Sequence, residues 1–136
     1  MSSISTIALS GLNAAARRLQ VSALNVANAQ STGAVPNADG TVPAGAPQAY
    51  APLELVQTAD AGGGVQTSVT TVTPSTTTVF DPQAPFANQD GLVAAPNVDL
   101  SREFVGQLLA SYSFAANVAV LKADDRNTKA LLDITA

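Results

Sequence analysis

Histidine, cysteine and tryptophan are all missing from this 136-residue chain, and each absence removes a class of function. Without His or Cys, the common ligand sets for zinc, copper, haem and iron–sulfur clusters cannot be assembled. Ser-His-Asp and Cys-His catalytic sites are excluded for the same reason, so no cofactor or metal is expected and the chain does not read as an enzyme. Zero Cys also rules out a disulfide scaffold. Charge is scarce: 12% of residues are charged and the formal net charge is -4. Six scattered Lys and Arg do not make the basic footprint of a nucleic-acid binder, nor do they attract an anionic membrane surface. Residues 1–7 hold no basic residue and no long apolar run. They therefore do not read as a secretory signal peptide, and no later segment reads as long enough to span a membrane. Export would need a route independent of a Sec-type signal. Only six aromatics are present: Tyr50, Phe80, Phe86, Phe104, Tyr112 and Phe114. Aromatics carry much of the burial in small cores, so a chain this poor in them is expected to complete its burial against other chains.

What is present is organised in three segments. The first, residues 1–30, is a helix. From Ser3 to about Asn28 there is no Pro and one Gly, Gly11. Apolar residues recur at Ile4, Ala8, Leu12, Ala15, Leu19, Ala23 and Val26, which is one helical face. The repeat sums to eleven residues, a period suited to a nearly straight or slightly right-handed bundle rather than a left-handed coiled coil. Ser3, Ser5 or Thr6 is a candidate N-cap. Asn28 and Gly33 are candidate terminators, since both residue types tolerate left-handed backbone angles.

Residues 31–97 form a loop and a small β-rich insert. Pro36, Pro43, Pro47 and Pro52 lie among Gly33, Gly40 and Gly45, and Gly62-Gly63-Gly64 closes the stretch. Turns and loop are expected there, with a short strand at Tyr50–Gln57 weakened by Pro52. Gly62 to Gly64 is a turn and not a phosphate loop, because no Lys-Ser/Thr and no helix follow it. Val65–Phe80 is rich in Val and Thr and partly alternating, a strand or hairpin signal interrupted at Pro74. Asp81-Pro82, Pro85 and Asp90-Gly91 are turns. Residues 98–136 carry the second helix, from about Val98 or Asp99 to about Leu132, with Asp99 or Ser101 as cap. Its long N-terminal part carries Leu100, Phe104, Leu108, Tyr112, Ala115, Ala119 and Lys122, and Leu109, Ala116, Val120 and Ala123 widen the apolar stripe. Residues 124–129 form a polar turn. Asp124 and Asp125 do not read as an acid–base pair, because adjacent helical residues point in different directions.

Two long terminal helices with an insert between them give an α+β chain, one domain overall, whose helices pair as an antiparallel hairpin. Neither stripe finds enough partner surface within the chain, and self-assembly is the simplest completion. The candidate assembly residues are Leu12, Ala15, Leu19, Ala23, Asn25 and Asn28 on the first helix. On the second they are Phe104, Leu108, Ala115, Asn117 and Leu121. Asn25 and Asn28 either bond between subunits or cap within one chain. A mid-helix Asn117 among apolar residues needs partners, and an interchain contact fixing register is the preferred role. Arg17, Arg18 and Gln20 read as a solvated face, with Asp99 or Glu103 on another helix as possible ion-pair partners.

Leu12 to Ser31, LNAAARRLQVSALNVANAQS, resembles the N-terminal signature of the flagellar axial proteins of rod, hook and hook-associated type. The matching positions are Leu12, Ala15, Leu19, Ala23, Asn25, Ala27 and Asn28, ending in N-x-A-N. Further on, Val79-Phe80-Asp81-Pro82 with Pro85 and Ala87 is similar to the family's V-Y-x-P-x-x-P-x-A stretch, with Phe80 in place of the tyrosine. Ser113 to Leu121 looks like the terminal-helix motif, with Asn117 in its usual place. Ala51-Pro52 follows Tyr50 where the family usually has a basic residue or two. In this order, and in a chain this short, the set resembles the FlgC type of flagellar basal-body rod protein. The resemblance implies a structural subunit of the proximal rod, packed helically with copies of itself and other rod proteins into a tube that transmits torque across the periplasm. It also implies basal-body ring and export-gate proteins as further neighbours, and type III export without a cleaved signal peptide. A cytoplasmic helical adaptor or export chaperone of the same system is the alternative.

Overall fold

The computed structural model describes residues 3–135. In chain order the elements are α1 (Ser3–Ala27), β1 (Leu53–Ala59), β2 (Val65–Thr71), β3 (Thr76–Phe80), β4 (Leu92–Pro96) and α2 (Leu100–Thr135), which is an α+β composition. Helix α1 already begins at Ser3, so Ser5 and Thr6 lie inside it and do not cap it. Its end is fastened by Asn28, whose backbone N–H and Nδ2 both donate to the Leu24 carbonyl. No left-handed residue is involved: among the described residues only glycines have positive φ, and Gly33 is not one of them. Helix α2 is capped by Asp99, whose Oδ1 accepts from the N–H groups of Ser101 (2.9 Å) and Arg102 (3.1 Å); this satisfies donors that the first helical turn leaves unpaired. The polar residues 124–129 stay within α2, where Lys129 pairs with Asp125 one turn earlier.

The strands form two separate two-stranded sheets, β1–β2 and β3–β4. Val and Thr supply the β-branched side chains that favour the extended backbone. Proline sets the boundaries, since β1 starts just after Pro52 and Pro74 separates β2 from β3. Strands β3 and β4 are antiparallel, from Thr76 opposite Pro96 to Phe80 opposite Leu92. Strand β4 has no counterpart in the sequence reading, yet it holds the most buried strand residues, Val93 and Ala94.

The chain groups into two compact units. The first contains α1 up to Val21, residues 55–69 and α2 from Phe104. Here Ala8, Ala14 and Ala15 of α1 and Ala110 of α2 are buried. Ser5 Oγ donates to the Asp124 carboxylate, and Arg18 donates to Gln57 Oε1 at 2.9 Å. The turn between β1 and β2 sits on α1: the Val65 N–H donates to Ser10 Oγ, which donates to the Ile7 carbonyl. Gly64 has φ +92° and a Cβ there would collide with Ser10, so both backbone angle and space demand glycine.

The second unit contains residues 22–54 and 70–103. Its Pro- and Gly-rich segment is not floppy. Gly33 exchanges both backbone hydrogen bonds with Ala94, the Ala34 N–H reaches the Pro47 carbonyl, and the Tyr50 N–H reaches the Ser31 carbonyl. Residues 31–34 are thus threaded between β4 and residues 47–50. A Cβ on Gly33 would fall onto the backbone of Gln48 and Ala49, which cannot step aside as a side chain could. Gly33→Ala is therefore expected to destabilise the chain by about 1–3 kcal/mol, the range for overpacking a well-filled site. Gly106, mid-helix with nothing within 4 Å of its would-be Cβ, should give the opposite sign, a gain of up to ~1 kcal/mol for Gly106→Ala. Denaturant titration of the two variants checks both.

Candidate assembly interface

The face of α1 that the chain buries is built from small and polar residues: Ala8, Ala14, Ala15, Ser22 and Asn25, with Val21 alongside. It overlaps the expected stripe at Ala8 and Ala15 and then departs from it. Leu12, Leu19 and Val26 are half-buried, while Ile4 and Ala23 are exposed. The departure has a local cause. Small side chains let neighbouring backbone come close, and at Gly11 a Cβ would lie 2.5 Å from Asn117 Oδ1.

Asn25 is 1% exposed, and its whole side chain is used within the chain. Nδ2 donates to the Leu53 carbonyl at 2.8 Å and to Glu103 Oε1 at 2.6 Å; Oδ1 accepts from the Tyr50 hydroxyl at 3.0 Å and from the Leu53 N–H at 2.9 Å. Two donors and two acceptor positions are all an Asn offers. Within the chain Asn25 does not cap the helix; it pins α1 to residues 50–53 and to α2. Ser22 Oγ adds a bond to the Glu103 carbonyl. Asn28 has the local role, bonding Leu24 and accepting from Ser31. Asn117 Nδ2 donates to the Ser113 carbonyl of its own helix.

The described part of α2 divides into two faces. Glu103, Gly106, Gln107, Ala110, Asn117, Leu121 and Asp124 are buried or half-buried, and Glu103, Ala110, Asn117 and Asp124 are spaced by seven residues. Apart from the half-buried Val118 and Leu121, the bulky apolar side chains lie elsewhere: Phe104, Leu108 and Tyr112 are 56%, 55% and 66% exposed, and Val105, Leu109, Leu131 and Leu132 are exposed too. Ala115 is also exposed. Of the expected site residues on α2, then, Phe104, Leu108 and Ala115 are on bare surface, and Asn117 and Leu121 are half-covered. Arg17 and Arg18 make no ion pair with Asp99 or Glu103 among the described residues; the pairs found are Arg102–Glu54 and Lys129–Asp125.

One expectation is corrected outright. Helix α2 is long and apolar enough to cross a membrane by length and composition, with an 18-residue window of mean hydropathy 1.5. No charged residue occurs from Phe104 to Leu121. The many Ala, Ser and Gly positions disguise this run, because none of them is strongly apolar. A groove of about 190 Å³ beside Gly11, Ala15, Ala110 and Asn117 has Arg18 as its one charged wall residue. It is smaller than the usual small-molecule pocket. Sequence reasoning missed Tyr50 and Glu103 as partners of Asn25, and Ser5 with Asp124. The seven-residue spacing of Glu103 and Asp124 with Ala110 and Asn117 is a signal that could have found those two; Tyr50 and Ser5 carry none.

Burial raises the Tyr50 hydroxyl above its ordinary pKa, and the negative Glu103 adds to the effect. The neutral phenol is therefore favoured in the folded chain. Its contribution to stability is complete below about pH 10, the unperturbed value, and is lost as pH rises through the higher folded value. Tyr50→Phe should flatten this alkaline loss in pH-dependent unfolding while costing about 0.5–1.5 kcal/mol at neutral pH for one hydrogen bond. Asn25→Ala should cost more, about 3 kcal/mol, because it strands several buried groups at once.

No family model matches the chain. Curated proteins do. It is 38% identical over 130 residues to the flagellar basal-body rod protein FlgC of Yersinia enterocolitica, covering 93% of this chain and 88% of that protein. It is 38% identical over 121 residues to the protein of the same name from Salmonella typhimurium, covering 85% and 83%. The Agrobacterium fabrum protein of that name is 32% identical over 131 residues, covering 90% and 86%. Agreement at this level runs through both helices and the insert, so the chain belongs to the FlgC family of flagellar basal-body rod proteins.

Proposed function

We propose that this chain is a structural, non-catalytic subunit of the proximal rod, and that α1 and α2 pair as an antiparallel hairpin that packs with copies and other rod proteins into a helical tube. One observation carries the reading: α2 turns small and polar residues inward and leaves Phe104, Leu108, Leu109 and Tyr112 bare. Each such side chain gains about 1.5–3 kcal/mol on full burial, so a row of them is a strong drive to associate. The hairpin is supported in the first unit by two contacts running in opposite senses along the helices, Ser5 with Asp124 and Gly11 with Asn117. In the second unit, Ser22 and Asn25 both reach Glu103. We assign burial of the bare face to protein rather than lipid, because the relatives are named as rod proteins. The rod reading carries with it a periplasmic location, torque transmission, export without a cleaved signal, and contact with ring and export-gate proteins.

A charge on the bare face is harmless in the lone chain and costly once a neighbour covers it, since a buried unpaired charge costs several kcal/mol. Phe104→Asp, Leu108→Asp and Ala115→Asp should leave a folded, accumulating chain that fails to enter purified basal bodies and abolishes swimming. Gln48→Asp, on an exposed loop residue, should swim normally. Assembly by all three helix variants would refute the interface. An adaptor or chaperone would instead remain in the cytoplasmic fraction of flagellated cells. Residues 125–134 are exposed throughout; their amides should exchange rapidly in dilute monomer and become protected in isolated rods.

A further inference from the structure

We infer that the rotation of α2 about its own axis is locked by polar anchors, and that this lock is what keeps its apolar face outward. A free helix with the composition of 104–121 would turn its large apolar side chains onto whatever partner it had, because that removes most apolar surface from water. Helix α2 does the reverse. In the second unit, the Glu103 carboxylate takes the second Nδ2 proton of Asn25, and the Glu103 carbonyl takes the Ser22 hydroxyl. In the first unit, the Asp124 carboxylate takes the Ser5 hydroxyl. At seven-residue steps between these anchors, Asn117 lies against Gly11, which leaves no room for a Cβ, and Ala110 lines one groove with Ala14 and Ala15. Turning α2 over would leave one of the two amide protons of the fully buried Asn25 without its Glu103 acceptor, a penalty that a low-dielectric site magnifies. Phe104 and Leu108, each next to or two residues from an inward position, are thereby held on the outside. The inference rests on the rod reading only for the use made of the bare face; the rotation is a property of the chain alone and is tested on it.

The chain has no cysteine, so engineered disulfides report the rotation cleanly. Ala110 and Leu108 are two residues apart and so point about 200° apart around α2. In the purified full chain, A15C with A110C should form the intramolecular disulfide, and A15C with L108C should not. With both anchors replaced, Glu103→Leu and Asp124→Leu, the first product should be lost and the second should appear. Glu103→Gln, which keeps an oxygen for Asn25, should retain the original pattern. An unchanged pattern in the double-leucine chain would overturn the lock, as would loss of both products, which would make the anchors general stabilisers rather than rotational ones. Because no rod is involved, failure here leaves the rod assignment standing, and failure of the rod assay leaves the lock standing.

Discussion

One buried amide fixes where α1, the returning loop and the start of α2 meet in the second unit. Asn25 projects from α1 into a site with no access to water and finds two acceptors for its two protons and two donors for its oxygen. A buried polar network is favourable only when every member is satisfied, and this one is. It also dictates geometry. Both backbone groups of Leu53 are taken by Asn25, which fixes where the long loop returns and where β1 begins. Tyr50 must lie over the same amide with its phenol protonated. Glu103 must come to it from the first turn of α2, and Asp99, four residues earlier, caps that turn.

The first unit is held differently. Its contact surface is Ala8, Ala14, Ala15 and Ala110, side chains that bury little area but permit close backbone approach, with Ser5–Asp124 and Ser10–Val65 as polar ties. Such a surface is specific without being strongly cohesive. The large apolar side chains that would make it cohesive are on the other side of α2. Leaving its best hydrophobes in water forgoes their burial energy in the lone chain.

The helices were legible because a 3.6-residue period and the absence of proline persist over more than six turns. The Gly62–Gly64 turn, the break at Pro74 and the Asp99 cap were legible because each rests on local chemistry. Strand β4 was not. Leu92-Val93-Ala94-Ala95-Pro96 has no alternation, since every position along it is buried or half-buried and neither face is left to water. Gly33 looked like a helix terminator, yet the backbone around Ala49 sets its identity. The apolar stripe on α2 carries no mark of which side the chain itself covers. That choice is made by Glu103 and Asp124, charged residues that a hydrophobic pattern assigns to solvent, acting through partners 78 and 119 residues away.

Two departures from the family pattern acquire physical reasons. Pro52 stands near where relatives of the pattern carry basic charge, and here it is fully buried with its carbonyl accepting from the Val72 N–H; a charged side chain in that position would have to be desolvated. Phe80, in place of the tyrosine, is 70% exposed and lies against Gly91 in the turn that follows β3, so the hydroxyl it lacks would have faced solvent at little cost to the fold. The signature N-x-A-N is explained in the same way. Asn25 and Asn28 spend their hydrogen bonds inside one chain, the first pinning three segments and the second closing α1. The most recognisable motif in the sequence therefore specifies how a subunit folds. The less distinctive run of Phe, Leu, Val and Tyr on α2 is left exposed, and the proposed assembly face rests on it.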